Sequence, residues 1–213
     1  MFSHVMRGLV LASVLCLCVV VPAEATMLTR LGGAAAYDDV LDITWVTNAA
    51  LSGEGTWDTQ VAWADGLDYL GFDDWRLASM SVAAGLPIGT TTSVFDCRSA
   101  TEAQCRDNEL GYMFYHNLGG TFGDFLRGNQ TVDGVDLMNI QGVYWSGTEY
   151  DSGNAWGFPL DGMQDFDIKG LINFNGWAVR AGDVAAVPEP PVVWLIGSGL
   201  IGMIGVAKHK KAA

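Results

Sequence analysis

Residues 142–183 read GVYWSGTEYDSGNAWGFPLDGMQDFDIKGLINFNGWAVRAGD, and this stretch limits the architecture more than any other. Short apolar runs are broken every few residues by Gly, Asp or Asn, which start and close turns. The runs predict strands over 143–148, 155–160, 166–168 and 177–180, hence a β-rich second half. The first half has another texture. Residues 26–50 read as extended segments around turns, punctuated by Asp38, Asp39 and Asp42, with Ile43-Thr44-Trp45-Val46 a β-branched and aromatic strand. Thr56 then caps a predicted helix with Asp58 in its first turn. Trp57, Val61, Ala64, Leu67 and Leu70 recur at three- and four-residue spacing on one face of it, and Gly71 is its stop. Trp75-Arg76-Leu77 follows as a short strand. A second helix is predicted over 101–118, with Leu110, Met113, Phe114 and Leu118 on one face and Gly119-Gly120 at its end. Two helices followed by a meander predict a single α+β domain. The 27 glycines have no three-residue period, so they serve turns and not a collagen-like helix.

Both ends of the chain have a different character. Arg7 precedes fourteen apolar or small residues, 8–21, then Pro22 and the small-x-small pattern Ala23-Glu24-Ala25. This is the layout of a secretory signal peptide, expected to span 1–25. Fourteen residues fall short of the roughly 20 that a membrane-spanning helix needs. At the other end, 185–191 is a linker holding Pro188, Glu189 and Pro190. An apolar segment follows over 192–207, and a basic tail over 208–213 with Lys208, Lys210 and Lys211. Sixteen residues make about 24 Å of helix, short against a hydrocarbon core of roughly 30 Å. The lysines would remain cytoplasmic, leaving the domain outside. The prolines before the segment and the lysines after it argue against a buried helix of the globular domain.

Residues 26–186 carry seven Lys or Arg against twenty-two Asp or Glu, a net charge of −15. Such a surface repels phosphate backbones, so no nucleic-acid partner is expected. After signal removal Cys97 and Cys105 are the only cysteines in this region. Export places them in an oxidising compartment, where a pair reads as a disulfide. The region has one histidine, His116, and Ser146 lies in Trp-Ser-Gly and not in G-x-S-x-G, so a hydrolytic triad is hard to assemble. Asp161, Asp165 and Asp167 lie close in sequence, as do Asp133 and Asp136, yet neither group matches a calcium loop; solvated turns are expected. No enzyme activity, cofactor or metal is expected. Trp45, Trp57, Trp63, Trp75, Trp145, Trp156 and Trp177 suit either a core or sugar stacking, and their exposure decides between the two.

Four runs occur in a familiar order: DDWRLAS (73–79), YWSGTEY (144–150), AWGFPLDGMQ (155–164) and GWAVRAGDV (176–184). Together, over roughly 37–184, they resemble the Lcl C-terminal domain family, with Ala78 where proline is usual and Gly147 where serine is usual. The resemblance implies a C-type-lectin-like α+β fold over 26–184 and a general role in binding polysaccharide. It implies structural roles for Trp75, Arg76, Trp145, Trp177 and Arg180, the arginines pairing with buried carboxylates or carbonyls. The Glu-Pro-Asn, Gln-Pro-Asp and Trp-Asn-Asp signatures of calcium-dependent lectins do not occur. The tail, with Pro188-Glu189-Pro190, Gly197-Ser198-Gly199-Leu200 and its basic end, resembles the PEP-CTERM sorting signal. That resemblance implies recognition by an exosortase-type membrane protease in a Gram-negative bacterium that makes exopolysaccharide. The chain is then transiently membrane-anchored and afterwards held at the cell surface or in the extracellular matrix. The expectation is an exported protein whose lectin-like domain binds polysaccharide or another surface component. The alternative is a structural matrix protein without a glycan pocket.

Overall fold

The computed structural model describes residues 26–80 and 96–184. The expected signal peptide, the linker with Pro188, Glu189 and Pro190, the apolar segment and Lys208, Lys210 and Lys211 lie outside the described residues. Among those described, no helix is long and apolar enough to cross a membrane.

The chain forms β1 (Met27–Arg30), β2 (Ala35–Asp38), β3 (Ile43–Val46) and β4 (Glu54–Gly55), then α1 (Trp57–Asp65) and β5 (Arg76–Leu77). Two short helices follow, α2 (Glu102–Cys105) and α3 (Glu109–Tyr112), the latter running into a wider turn over Met113–Asn117. The rest is β: β6 (Gly128–Val132), β7 (Val135–Ile140), β8 (Val143–Glu149), β9 (Asn154–Pro159), β10 (Asp165–Ile168), β11 (Phe174–Gly176) and β12 (Ala178–Ala181). The first sheet has the order β1-β2-β3-β12-β5 and is antiparallel throughout. The second has the order β10-β9-β8-β11-β4, with only β8 and β11 parallel. β6 and β7 pair with each other. This is a sheet-rich α+β fold, as the change in texture along the sequence predicts.

Trp177 joins the two sheets. It lies between β11 of the second sheet and β12 of the first, so it is the crossover residue and not the start of a strand. Its ring is 1% exposed, packs on Trp45 at 5.0 Å and Tyr144 at 5.1 Å, and its Nε1 donates to Val46 O. Around it lie Phe114, Phe158, Leu110 and Leu137, which form the main core. Gly176 precedes it because nothing larger fits: a Cβ there would stand 2.7 Å from Leu77 Cδ2 and 2.8 Å from Gln60 Oε1. All four residues of β3 are buried, which suits a β-branched and aromatic strand covered on both faces.

Both predicted helices are shorter than their apolar spacing suggests. α1 ends at Gly66, not Gly71, whose N–H closes the last turn onto Ala62 O. Leu67, Tyr69 and Phe72 remain on the core side because Trp75 Nε1 donates to Tyr69 O and Phe72 O, folding that segment back as a loop. Thr56 holds the N-cap position, but its hydroxyl pairs with Thr59 Oγ1 and not with the helix backbone. The helix predicted over 101–118 is broken at Asn108. Its backbone is extended there, and its side chain accepts from Gly111 N and starts α3 afresh. The β6–β7 hairpin was not anticipated. Its signal is Asp133-Gly134, whose φ angles of 51° and 81° match the tight two-residue turn that suits strand twist.

Candidate functional site

The residues of the recurring runs are built into the scaffold. Trp75, Trp145 and Trp177 are each at most 2% exposed. Each indole N–H reaches a backbone carbonyl, and Trp145 Nε1 donates to Gly55 O at 3.1 Å. Arg76 meets Glu109 through two parallel hydrogen bonds of 2.8 and 2.7 Å and also donates to Leu77 O. Arg180 pairs in the same two-pronged way with Asp74, and its guanidinium lies 4.3 Å from the centre of the Phe72 ring. Asp74 is half-exposed, so here the carboxylate is not a buried one. Cys97 and Cys105 form a disulfide with Cα atoms 5.2 Å apart, which is consistent with a secreted protein.

None of the seven tryptophans between residues 26 and 184 is exposed. Trp45, Trp57, Trp75, Trp145 and Trp177 are buried, and Trp63 and Trp156 are half-buried. Among the described residues the exposed aromatic side chains are Phe122, Phe125, Tyr150 and Phe166, and the last two pair with each other. Tyr150, 48% exposed, and Phe166, 41% exposed, stack face to face with ring centres 3.9 Å apart and planes inclined by 2°. Trp156 stands nearly perpendicular to both, its centre 5.3 Å from Tyr150 and 5.8 Å from Phe166. Near-equal distances put Trp156 beside the pair and not at one end of the stack. Its ring therefore covers neither outer face of the pair.

Each member of this ledge has a local cause. Phe166 and Trp156 face each other across β10 and β9, and aromatic pairs in that position stabilise one another. β10 reads Asp165-Phe166-Asp167-Ile168, so strand alternation sends Phe166 and Ile168 to one face and the aspartates to the other. Tyr150 projects from the turn between β8 and β9. Asp151 braces that turn by accepting from Gly153 N, Asn154 N and Asn154 Nδ2. The Asn154 side-chain bond and then the Gly153 N–H hold the Asp151 carboxyl below the usual carboxylate range. Lys169 fastens the turn from below. It is 8% exposed, its Nζ donates to Asp151 O at 2.8 Å and pairs with Glu149 at 3.0 Å, and it rests 4.6 Å from the Trp57 ring centre.

Two clefts flank these elements. One, of about 110 Å³, is lined by Val143, Gly157, Pro159, Asp165, Phe166, Asp167 and Phe174. The other, of about 200 Å³, is lined by Trp57, Val61, Asp65, Arg76, Leu77, Ser79 and Gly147. Asp165 and Asp167 each accept from the next residue's N–H, and Asp161 accepts from Met163 N. Asp133 holds Met27 N, and Asp136 takes the Thr131 hydroxyl. Among the described residues, no three His, Cys, Asp or Glu side chains gather as a metal site. Ser146 Oγ is buried against Trp156 O. His116 lies beside Tyr112, with ring centres 5.0 Å apart, and burial pushes its imidazole below the usual range while Glu102 opposes that shift.

The ledge is the part of the site that sequence reasoning overlooked. Its signals were present: the strict alternation of β10, and a tyrosine at the end of YWSGTEY where the hairpin turns. Comparison with known proteins adds no relative, since no protein-family model and no curated protein matches the chain.

Proposed function

We propose that this chain is an exported, non-catalytic protein of a Gram-negative cell envelope or extracellular matrix, sorted through its C-terminal signal by an exosortase-type protease. Its C-type-lectin-like domain, residues 26–184, binds polysaccharide. The observation that carries the binding role is the ledge of Tyr150, Phe166 and Trp156, two parallel, stacked, exposed rings braced by a third. Apolar ring faces held rigid beside hydroxyl- and carboxylate-bearing side chains suit ligands that have both C–H faces and hydroxyl groups.

Export and sorting fit the domain's chemistry and outline. The disulfide suits an oxidising compartment. Met27, Asp38, Ile43 and Ala181 form one cross-strand row of the first sheet, so the chain enters and leaves the domain at the same end of that sheet. A signal peptide on one side and a membrane segment on the other would both leave from that end. The domain would then hang from the membrane by one pole until both are processed.

A structural matrix protein without a glycan pocket is the second reading, and the burial of the tryptophans favours it. A pull-down of the full chain on exopolysaccharide, with and without calcium, separates the two. Retention on the polymer supports the binding reading, and loss of all retention under both conditions leaves the structural one. Sorting is tested by the intact mass of the surface form. It should begin at Thr26 and lack the residues beyond the Pro188-Glu189-Pro190 region. Retention of residues 208–213 in that form would make the tail a plain anchor.

A further inference from the structure

We infer that the ledge formed by Tyr150 and Phe166 is a stacking subsite for neutral hexopyranose rings, and that it discriminates against uronic-acid polymers. This rests on the polysaccharide-binding reading above and narrows it to a ligand class. Three observations point the same way.

The first is geometry. The two rings are parallel within 2° and 3.9 Å apart, and Trp156 stands beside both. One face of Tyr150 and one face of Phe166 therefore point away from the cluster. A pyranose laid on either face buries its C–H groups, while its equatorial hydroxyls reach outward. The second is preorganisation. Trp156 packs against the main core, and the turn carrying Tyr150 is tied down by Asp151 and by the buried Lys169. Little ordering is left for a ligand to impose, which favours binding.

The third is charge. Residues 26–186 carry −15, and next to Tyr150 stand Asp151 in the turn and Glu149 at the end of β8, the latter paired with Lys169, among the described residues the one cation of this corner. Carboxylates accept hydrogen bonds from sugar hydroxyls but repel the carboxylates of a uronic-acid chain. The same charge opposes a second copy as the occupant. β10 is an edge strand, and pairing two such edges would bring Asp165 and Asp167 of one copy close to the same aspartates of the other.

Affinity electrophoresis of the full chain in non-ionic detergent tests this, using gels that contain a soluble neutral β-glucan, dextran, galactomannan or alginate. The expected result is retardation by at least one neutral polymer and none by alginate. Tyr150→Ala and Phe166→Ala should each weaken the interaction roughly tenfold or more, about 1.4 kcal/mol, and Tyr150→Phe should retain it. Both positions are exposed, so thermal midpoints near wild type serve as the folding control. Retardation by alginate alone, or by a neutral polymer but indifferent to both alanine variants, overturns the subsite while the polysaccharide reading stands. No retardation by any polymer overturns both. If instead the alanine variants abolish a concentration-dependent dimer seen by sedimentation, the ledge is a contact between copies and the inference falls.

Discussion

Arg76 and Glu109, 33 residues apart, meet in a two-pronged ion pair whose carboxylate side chain is 3% exposed and also accepts the Ser79 N–H. The pair ties the short β5 strand to the start of α3. Removing the arginine leaves a buried charge without its counter-ion. Arg76→Ala is therefore expected to cost about 3 kcal/mol, read as a lower urea midpoint. Glu109→Gln, which keeps the shape and part of the hydrogen bonding, should cost less. Equal, negligible losses for both would show that the pair does not hold the two elements together.

Gly176 tests the joint between the sheets. A methyl group at this position would press on Leu77 and Gln60. Gly176→Ala should destabilise by about 1–3 kcal/mol, the usual range for overpacking. Gly170, around which no atom lies within 4 Å of an added Cβ, is the control, and its alanine variant should melt close to wild type.

Lys169 should matter through the turn it supports. Its ammonium carries the Asp151 carbonyl and Glu149 beneath the Tyr150 turn. Lys169→Met keeps the packing on Trp57 and removes the donors, at an expected cost of about 1.5–3 kcal/mol. Amide hydrogen exchange should speed up first at residues 150–154. Uniform loss of protection over the whole domain would contradict this local role.

His116 sets a pH dependence whose sign follows from burial. The folded chain holds the imidazole below its ordinary pKa, with desolvation outweighing the attraction of Glu102. The unfolded chain thus takes up a proton at a pH where the folded chain does not. Stability from this group is complete above the ordinary histidine range and is lost as pH falls through it toward the folded value. Denaturation midpoints taken from about pH 8 down to about pH 5.5 should decline, and His116→Phe should flatten the decline.

The disulfide spans a short loop, with eight residues of separation. Reduction, or paired Cys97→Ser and Cys105→Ser replacement, should lower stability by roughly 2–3 kcal/mol on the chain-entropy account. A melting curve with and without reductant measures it, and coincident curves would show that the bridge adds nothing to stability.

Much of the architecture was legible because it rests on local chemistry. The strand at Ile43–Val46, the successive β8, β9 and β10 strands and the Cys97–Cys105 bridge follow from β-branched runs, turn residues and the cysteine count, whereas the strand expected at 177–180 leaves that meander and joins the first sheet as β12. Helix ends were not legible, because Trp75 and Asn108 decide them. One is an indole that captures two carbonyls from a loop, the other a side chain that restarts a helix. The Asp133-Gly134 hairpin was legible in principle, since its turn chemistry is local.

The division at the candidate site is sharper. Composition and order along the chain determined that this is an acidic α+β domain between two apolar termini, and that its tryptophans serve either as core or as platform. Which aromatics reach solvent was decided by layering: each strand alternates faces, and only the tertiary arrangement determines which face a second layer covers. The two sheets close on Trp45, Trp145 and Trp177, whereas β10 ends the second sheet with the outer part of one face uncovered. Tyr150 and Phe166, 16 residues apart, therefore meet at the surface, a consequence of register and sheet order that no spacing in the sequence records.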